Sequence, residues 1–129
     1  MGRDRHAEVG RAGEQAAAAY LLAHGYRLVE RNYRRKRAEV DLIVRRDGVL
    51  VFVEVRTRCG DALARPEETL TAAKLRRLQR HAQAYAAWHR WAGACRIDAV
   101  CVVLAPRPDG RRGPGYRVAR LDHYEHIAA

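Results

Sequence analysis

At 129 residues the chain can bury one core and little more, so no second domain is expected. Its 25 lysines and arginines against 15 acids leave a formal net charge of +10, far from the near-balance of an ordinary enzyme, which points to polyanionic partners. No apolar run is long enough to span a membrane, and the charged N-terminus lacks the apolar segment of a signal peptide, so a cytoplasmic protein without membrane contact is expected.

Ala7 to His24 reads as a helix, with Val9, Ala12, Ala16, Tyr20 and Leu21 as its apolar stripe and Gly25 as the left-handed residue that closes it. Glu14 falls on the inward face with Ala17, Ala18 and Leu21, which makes it either a site residue or an ordinary helix acid. Tyr26 to Tyr33 reads as the first strand, and the basic run Arg34-Arg35-Lys36-Arg37 as its link to the next. Val40–Val44 and Val49–Val55 then form a hairpin around the tight turn Asp47-Gly48.

Side chains alternate along a strand, so Leu50, Phe52, Glu54 and Arg56 share one face, and Val49, Val51, Val53 and Val55 the other. Both faces are apolar, which makes this strand central and Glu54 costly unless it is paired or bound to a cation. Glu39 and Asp41, two residues apart on the preceding strand, share a face, and the hairpin brings Asp41 towards Glu54 and Arg56. Oxygen ligands at such a point suit a hard cation such as magnesium. The alternative is a structural ion pair of Asp41 or Glu54 with Arg56 or Arg58.

Thr71 to Trp91 carries Leu75, Leu78, Ala82, Tyr85 and Trp88 at helical spacing, with Thr71 as the cap. Phe52, Tyr85 and Trp88 are assigned to packing, which leaves few rings for stacking unpaired bases and favours duplex or branched nucleic acid. Ile97 to Leu104 is a near-continuous apolar strand. Residues 105–115 form a turn-rich, flexible loop in which Arg107, Arg111 and Arg112 are available to grip a backbone, and Tyr116 to Leu121 is a final strand. Helices alternating with strands of a mixed sheet define an α/β class. His81 and His89 read as surface or DNA-facing residues rather than metal ligands, and His6, His24, His123 and His126 fall at element ends without an assigned role. Cys59, Cys95 and Cys101, odd in number and without paired zinc-ligand spacing, read as reduced thiols.

From Gly13-Glu14 through Gly25-Tyr26, Arg31-Asn32-Tyr33, Glu39-Val40-Asp41-Leu42-Ile43, Phe52-Val53-Glu54-Val55-Arg56-Thr57-Arg58, Lys74 and Arg96-Ile97-Asp98, the chain resembles the YraN-like family of bacterial proteins. That family belongs to the PD-(D/E)XK nuclease superfamily, alongside archaeal Holliday junction resolvases. The resemblance implies a restriction-endonuclease-like core, α-β-β-β-α-β, over about residues 7–104, with a C-terminal strand and tail at 116–129. It implies a magnesium- or manganese-dependent endonuclease acting on DNA, branched or flapped. Asp41, Glu54, the Val55 carbonyl and Glu14 would serve the metal, with Arg56 as the fourth catalytic residue. Glu39 ranks below Asp41 as a ligand or as a partner of Arg37 or Arg58. Nucleic-acid contacts fall to Arg34, Arg35, Lys36, Arg37, Arg58, Lys74 and Arg77, with Gln83 as a further helix residue near the phosphate. A homodimer follows by analogy with junction-cutting relatives.

Two positions depart from the pattern. Arg56 stands where the superfamily usually has lysine; its planar head can stabilise negative charge but cannot act as a base. Ala38 stands where the family has glycine before the acid, which restricts the backbone there. The competing readings are a basic DNA-binding or adaptor protein whose Glu-x-Arg motif is a relic, and an RNA- or ribosome-associated protein suggested by charge alone.

Overall fold

Along the chain lie helix α1 (Gly2–Ala23), strands β1 (Arg27–Arg35), β2 (Ala38–Arg46) and β3 (Val49–Cys59), a 3-10 turn (Pro66–Thr69), helix α2 (Ala72–Trp88), and strands β4 (Ala94–Pro106) and β5 (Tyr116–Ala128). This computed structural model describes residues 2–60, 65–107 and 115–128, with side chains from residue 5 onward. The strands make one mixed sheet in the order β1-β2-β3-β4-β5. Neighbours run antiparallel except β3 and β4, which are parallel and joined through α2. The α/β class with one mixed sheet and two helices is the one expected from the sequence.

The two apolar faces of β3 explain the layering. Val51, Val53 and Val55 pack with Ala17, Ala18 and Leu21 of α1, while Leu50 and Phe52 pack with Leu78, Ala82 and Tyr85 of α2. The alternation read from the sequence therefore holds along this strand. Gly25, at φ 87°, closes α1 through Tyr26 N–H donating to Leu21 O and Gly25 N–H to Leu22 O, a Schellman arrangement. Thr71 caps α2 by accepting from the Lys74 N–H at 3.2 Å. That helix stops at Trp88 rather than Trp91, because Arg90 turns left-handed (φ 53°) and the Trp91 N–H donates back to Ala86 O. Asp47 and Gly48, at φ 52° and 76°, form the two-residue turn their identities predict.

Two features at the β1–β2 end differ from expectation. Arg34 and Arg35 belong to β1, paired with Glu39 and Ala38, so the link is only Lys36-Arg37, with Lys36 left-handed at φ 56°. Along β2, Val40 joins Ile43 on the α2 side while Leu42 and Val44 join the α1 side. Strict alternation would have put Val40 with Leu42, so the strand rolls over around Asp41. The β2–β3 ladder ends at the pair Leu42–Val53, and β3 continues beyond it.

Strand β5 runs seven residues past the Leu121 expected as its end, to Ala128. Its second half is polar and reads as a tail, yet a buried carboxylate on β4 holds it. The β4–β5 register shifts between Ile97 and Ala99, and His126 there is left-handed at φ 55°. Asp98, fully buried, accepts from the His126 N–H (3.0 Å), from His123 Nε2 (2.8 Å) and from Arg96 Nε and Nη2 (2.9 and 3.1 Å). His123 and His126 therefore lie inside the strand, correcting their placement at element ends. Burial, the largest single influence, pushes the Asp98 carboxyl up, but the bonds from His123, Arg96 and His126 outweigh it and hold it below its ordinary value. Of the loop arginines, Arg107 is exposed; Arg111 and Arg112 lie outside the described residues.

Candidate functional site

Where β2 separates from β3, the backbone of β3 loses its partner on that side. Asp41 replaces it: its Oδ2 accepts from the Val55 N–H at 2.9 Å. In a strand, a residue's N–H and C=O point to the same edge, so the Val55 carbonyl also faces the side that β2 has left. Around this break opens a cleft of about 520 Å3. Glu14, Asp41, Glu54, Val55 and Arg56 all line it, joined by Arg58, Lys74 and Arg77. Residues predicted from positions as far apart as 14 and 77 thus meet in one place.

Each is brought there by a different device. Gly13 lies so close to Thr57 that a β-carbon on it would stand 1.9 Å from Thr57 Oγ1, and this approach of α1 to β3 carries the next residue, Glu14, to the cleft. Asn32, left-handed at φ 49° in β1, lies close enough to Glu14 to favour its ionised form. Arg56 is held on two sides, Nε donating to Thr69 Oγ1 at 2.6 Å and Nη1 lying 3.4 Å from Glu54 Oε1. Thr69 in turn donates to Pro66 O at 2.6 Å, so the 3-10 turn positions the arginine. The His81 ring lies against the cleft-lining end of β2, where the Glu39 N–H donates to its Nδ1 at 3.2 Å.

The electrostatics are those of crowded acids. Burial and then the neighbouring Asp41 push the Glu54 carboxyl up to about 7, against the pull of Arg56 and Lys74. Burial likewise raises Asp41, and burial followed by Asp41 raises Glu14. Nearby like charges in a poorly hydrated place disfavour ionisation, and a cation between them would reverse that. Among the described residues no three His, Cys, Asp or Glu side chains gather closely enough to enclose a metal ion by themselves. Two carboxylates with a free-facing carbonyl nevertheless match the sparse oxygen set by which magnesium, keeping most of its waters, is usually held.

The remaining predicted contacts divide. Arg35, Lys36 and Arg37 line an adjoining groove, and Arg34 borders a third hollow with Arg31 and Asn32. Glu39 is exposed at the cleft rim, and among the described residues it forms no ion pair with Arg37 or Arg58. Gln83, exposed, lines a hollow against β4 rather than the cleft. Trp88, assigned to packing with Phe52 and Tyr85, is 60 % exposed while those two are buried, because the inward stripe of α2 ends at Tyr85. Asn32, Thr57 and Thr69 had no role in the sequence reading. Asn32 and Thr57 stand within the motifs that carry the family resemblance, but nothing in the sequence links Thr69 to Arg56.

Known proteins share this arrangement of sequence. A UPF0102 protein of Symbiobacterium thermophilum is 53 % identical over 104 residues, covering 80 % of this chain and 86 % of its own length. One from Lawsonia intracellularis is 40 % identical over 121 residues, covering 93 % and 84 %. One from Oleidesulfovibrio alaskensis is 44 % identical over 108 residues, covering 81 % of this chain but only 54 % of its own length. The model of the family described as "Uncharacterised protein family UPF0102" matches residues 13–102, a span that opens on the Gly13–Thr57 contact and closes within β4. With Glu14, Asp41, Glu54, Arg56 and Lys74 all inside that span, the chain belongs to the UPF0102 family.

Proposed function

We propose that this protein is a magnesium- or manganese-dependent endonuclease that hydrolyses phosphodiester bonds in DNA, built on the restriction-endonuclease-like core of the PD-(D/E)XK superfamily. The observation that carries the reading is the meeting of Asp41, Glu54 and the Val55 carbonyl at the point where β2 leaves β3, inside a cleft edged by Arg58, Lys74 and Arg77. In this reading Asp41, Glu54 and the Val55 carbonyl would hold the cation, with Glu14, on the same cleft, as a further acid that would serve it. The cation would supply a more acidic attacking water and neutralise charge on the phosphate. Arg56, steadied by Thr69 and Glu54, presents a permanent positive charge to the phosphorane. Lys74 and Arg77 on α2 fix the flanking phosphates, and Arg58 does so from β3.

A second reading keeps the fold without the chemistry, as a DNA-binding or adaptor protein. It is favoured by the 3.4 Å pairing of Arg56 with Glu54, which lets the arginine occupy a carboxylate that the nuclease reading gives to the cation. Incubation with labelled linear, flapped and four-way DNA in magnesium, manganese or chelator separates the two. Metal-dependent cutting that disappears in Glu54→Ala supports the nuclease. Cutting only after Arg56→Lys, or binding without cutting in every metal, supports the second reading.

A further inference from the structure

Beside the carboxylate cleft opens a second groove of about 790 Å3 between the β1–β2 turn and α2. Glu39, Arg77 and His81 border both hollows, so the two are continuous. The groove's charged lining is Arg35, Lys36, Arg37, Arg77 and Arg80 against the single acid Glu39, five cations to one carboxylate. At its far side stands Trp88, 60 % exposed and bordering the hollow of Arg31 and Arg34 as well. Exposing most of an indole forgoes the largest apolar burial a side chain offers, and Tyr85 and Leu78 already complete the inward stripe of α2.

The ring is not loose. Arg35 lays its guanidinium over the indole, 3.3 Å from the centroid, which orients the ring before any ligand arrives and makes a two-layer stack that a third planar group can extend. Tyr33 and Tyr85, meeting edge to face at 4.8 Å, support the strand and helix that carry the pair. An intact duplex turns its bases' faces inward and offers only their edges in the grooves, so an exposed indole plane finds no base face there. An unpaired strand offers both phosphates and faces.

We propose that this groove receives an unpaired stretch of DNA strand, its phosphates along Arg35, Arg37, Arg77 and Arg80 and one base stacked on Trp88. The protein thereby selects DNA that carries a single-stranded tail beside the cleft. This inference rests on the nuclease reading for the fate of the strand in the cleft, but not for its binding in the groove.

The test reads binding in chelator, with fluorescein-labelled blunt duplex and the same duplex bearing an oligothymidine or an oligouridine tail, against wild type, Trp88→Ala and Trp88→Phe. The expected result is that Trp88→Ala weakens binding to the thymidine-tailed duplex about ten-fold, the scale of one lost base stack, and leaves the blunt duplex unchanged. Trp88→Phe should retain most of the affinity. In a Trp91→Phe background Trp88 is the only tryptophan left, and oligothymidine should quench its emission. Equal loss on blunt and tailed DNA, no loss on either, absent quenching, or a ten-fold preference for the uridine tail in RNA overturns the proposal. A protein that needs Trp88 for tailed DNA but cuts nothing in any metal refutes the nuclease reading alone. Cutting of tailed DNA that is indifferent to Trp88 refutes this inference alone.

Discussion

Replacing Glu54 with glutamine should stabilise the metal-free protein at alkaline pH and have little effect in mild acid. The carboxyl is pushed up to about 7 from an ordinary 4.5. Its folded pKa is raised, so its favourable contribution is fully present below about 4.5 and is lost as pH rises through about 7. The difference of 7 minus 4.5, at about 1.36 kcal/mol per unit, sets an upper value of about 3 kcal/mol for the ionisation penalty at pH well above 7. The value of about 7 already contains the pull of Arg56, and solvent reaching the partly exposed carboxyl screens about 1 kcal/mol of the penalty that glutamine removes. The net gain is then about 2 kcal/mol, and Asp41, relieved of its neighbour, ionises more easily and adds to it. Urea denaturation in chelator, at mildly acidic and at alkaline pH, measures it. A variant no more stable than wild type in alkali, or one whose advantage is the same at both pH values, would refute the reasoning that the carboxylates are crowded. Saturating magnesium should reverse the order by stabilising wild type, at about 2.7 kcal/mol for a concentration one hundred times Kd, while the variant gains little.

Asp98→Asn should cost about 3 kcal/mol near neutral pH, because it leaves Arg96 and His123 without their buried acceptor. With its folded pKa lowered, Asp98 stabilises above its ordinary value of 3.8, and that contribution is lost only as pH falls further through the folded value. Denaturation curves for the two proteins should therefore converge in strong acid and nowhere else. Gly13→Ala should destabilise by about 1–3 kcal/mol through the collision with Thr57, and Thr57→Ala should recover most of it in a double-mutant cycle; additive losses would show that the close approach is not the cause. Thr71→Ala should lower stability by about 1 kcal/mol through loss of the α2 cap, measured as a fall in denaturation midpoint with unchanged slope.

Local chemistry determined much of this molecule from the sequence. The α1 and α2 stripes, the Gly25 stop, the Thr71 cap, the Asp47-Gly48 turn and the two-faced β3 all rest on neighbours within a few residues, where spacing and backbone preference decide the outcome. The approach of Asp41 to Glu54 was legible too, because the tight turn fixes the hairpin register and carries both strands to Leu42–Val53, the pair next to them. Only the tertiary structure decided the rest. The roll of β2 at Asp41 arises where the strand leaves its partner, and no alternation rule contains that departure. The polar half of β5 becomes a strand because Asp98, more than twenty residues away, satisfies its bulge from within the core. Trp88 follows the helical spacing of a core residue, yet it stands outside because what edge strand β1 sets against it is the guanidinium of Arg35 rather than an apolar side chain. Periodicity records which residues share a face. Whether anything lies opposite that face depends on contacts that sequence spacing does not encode.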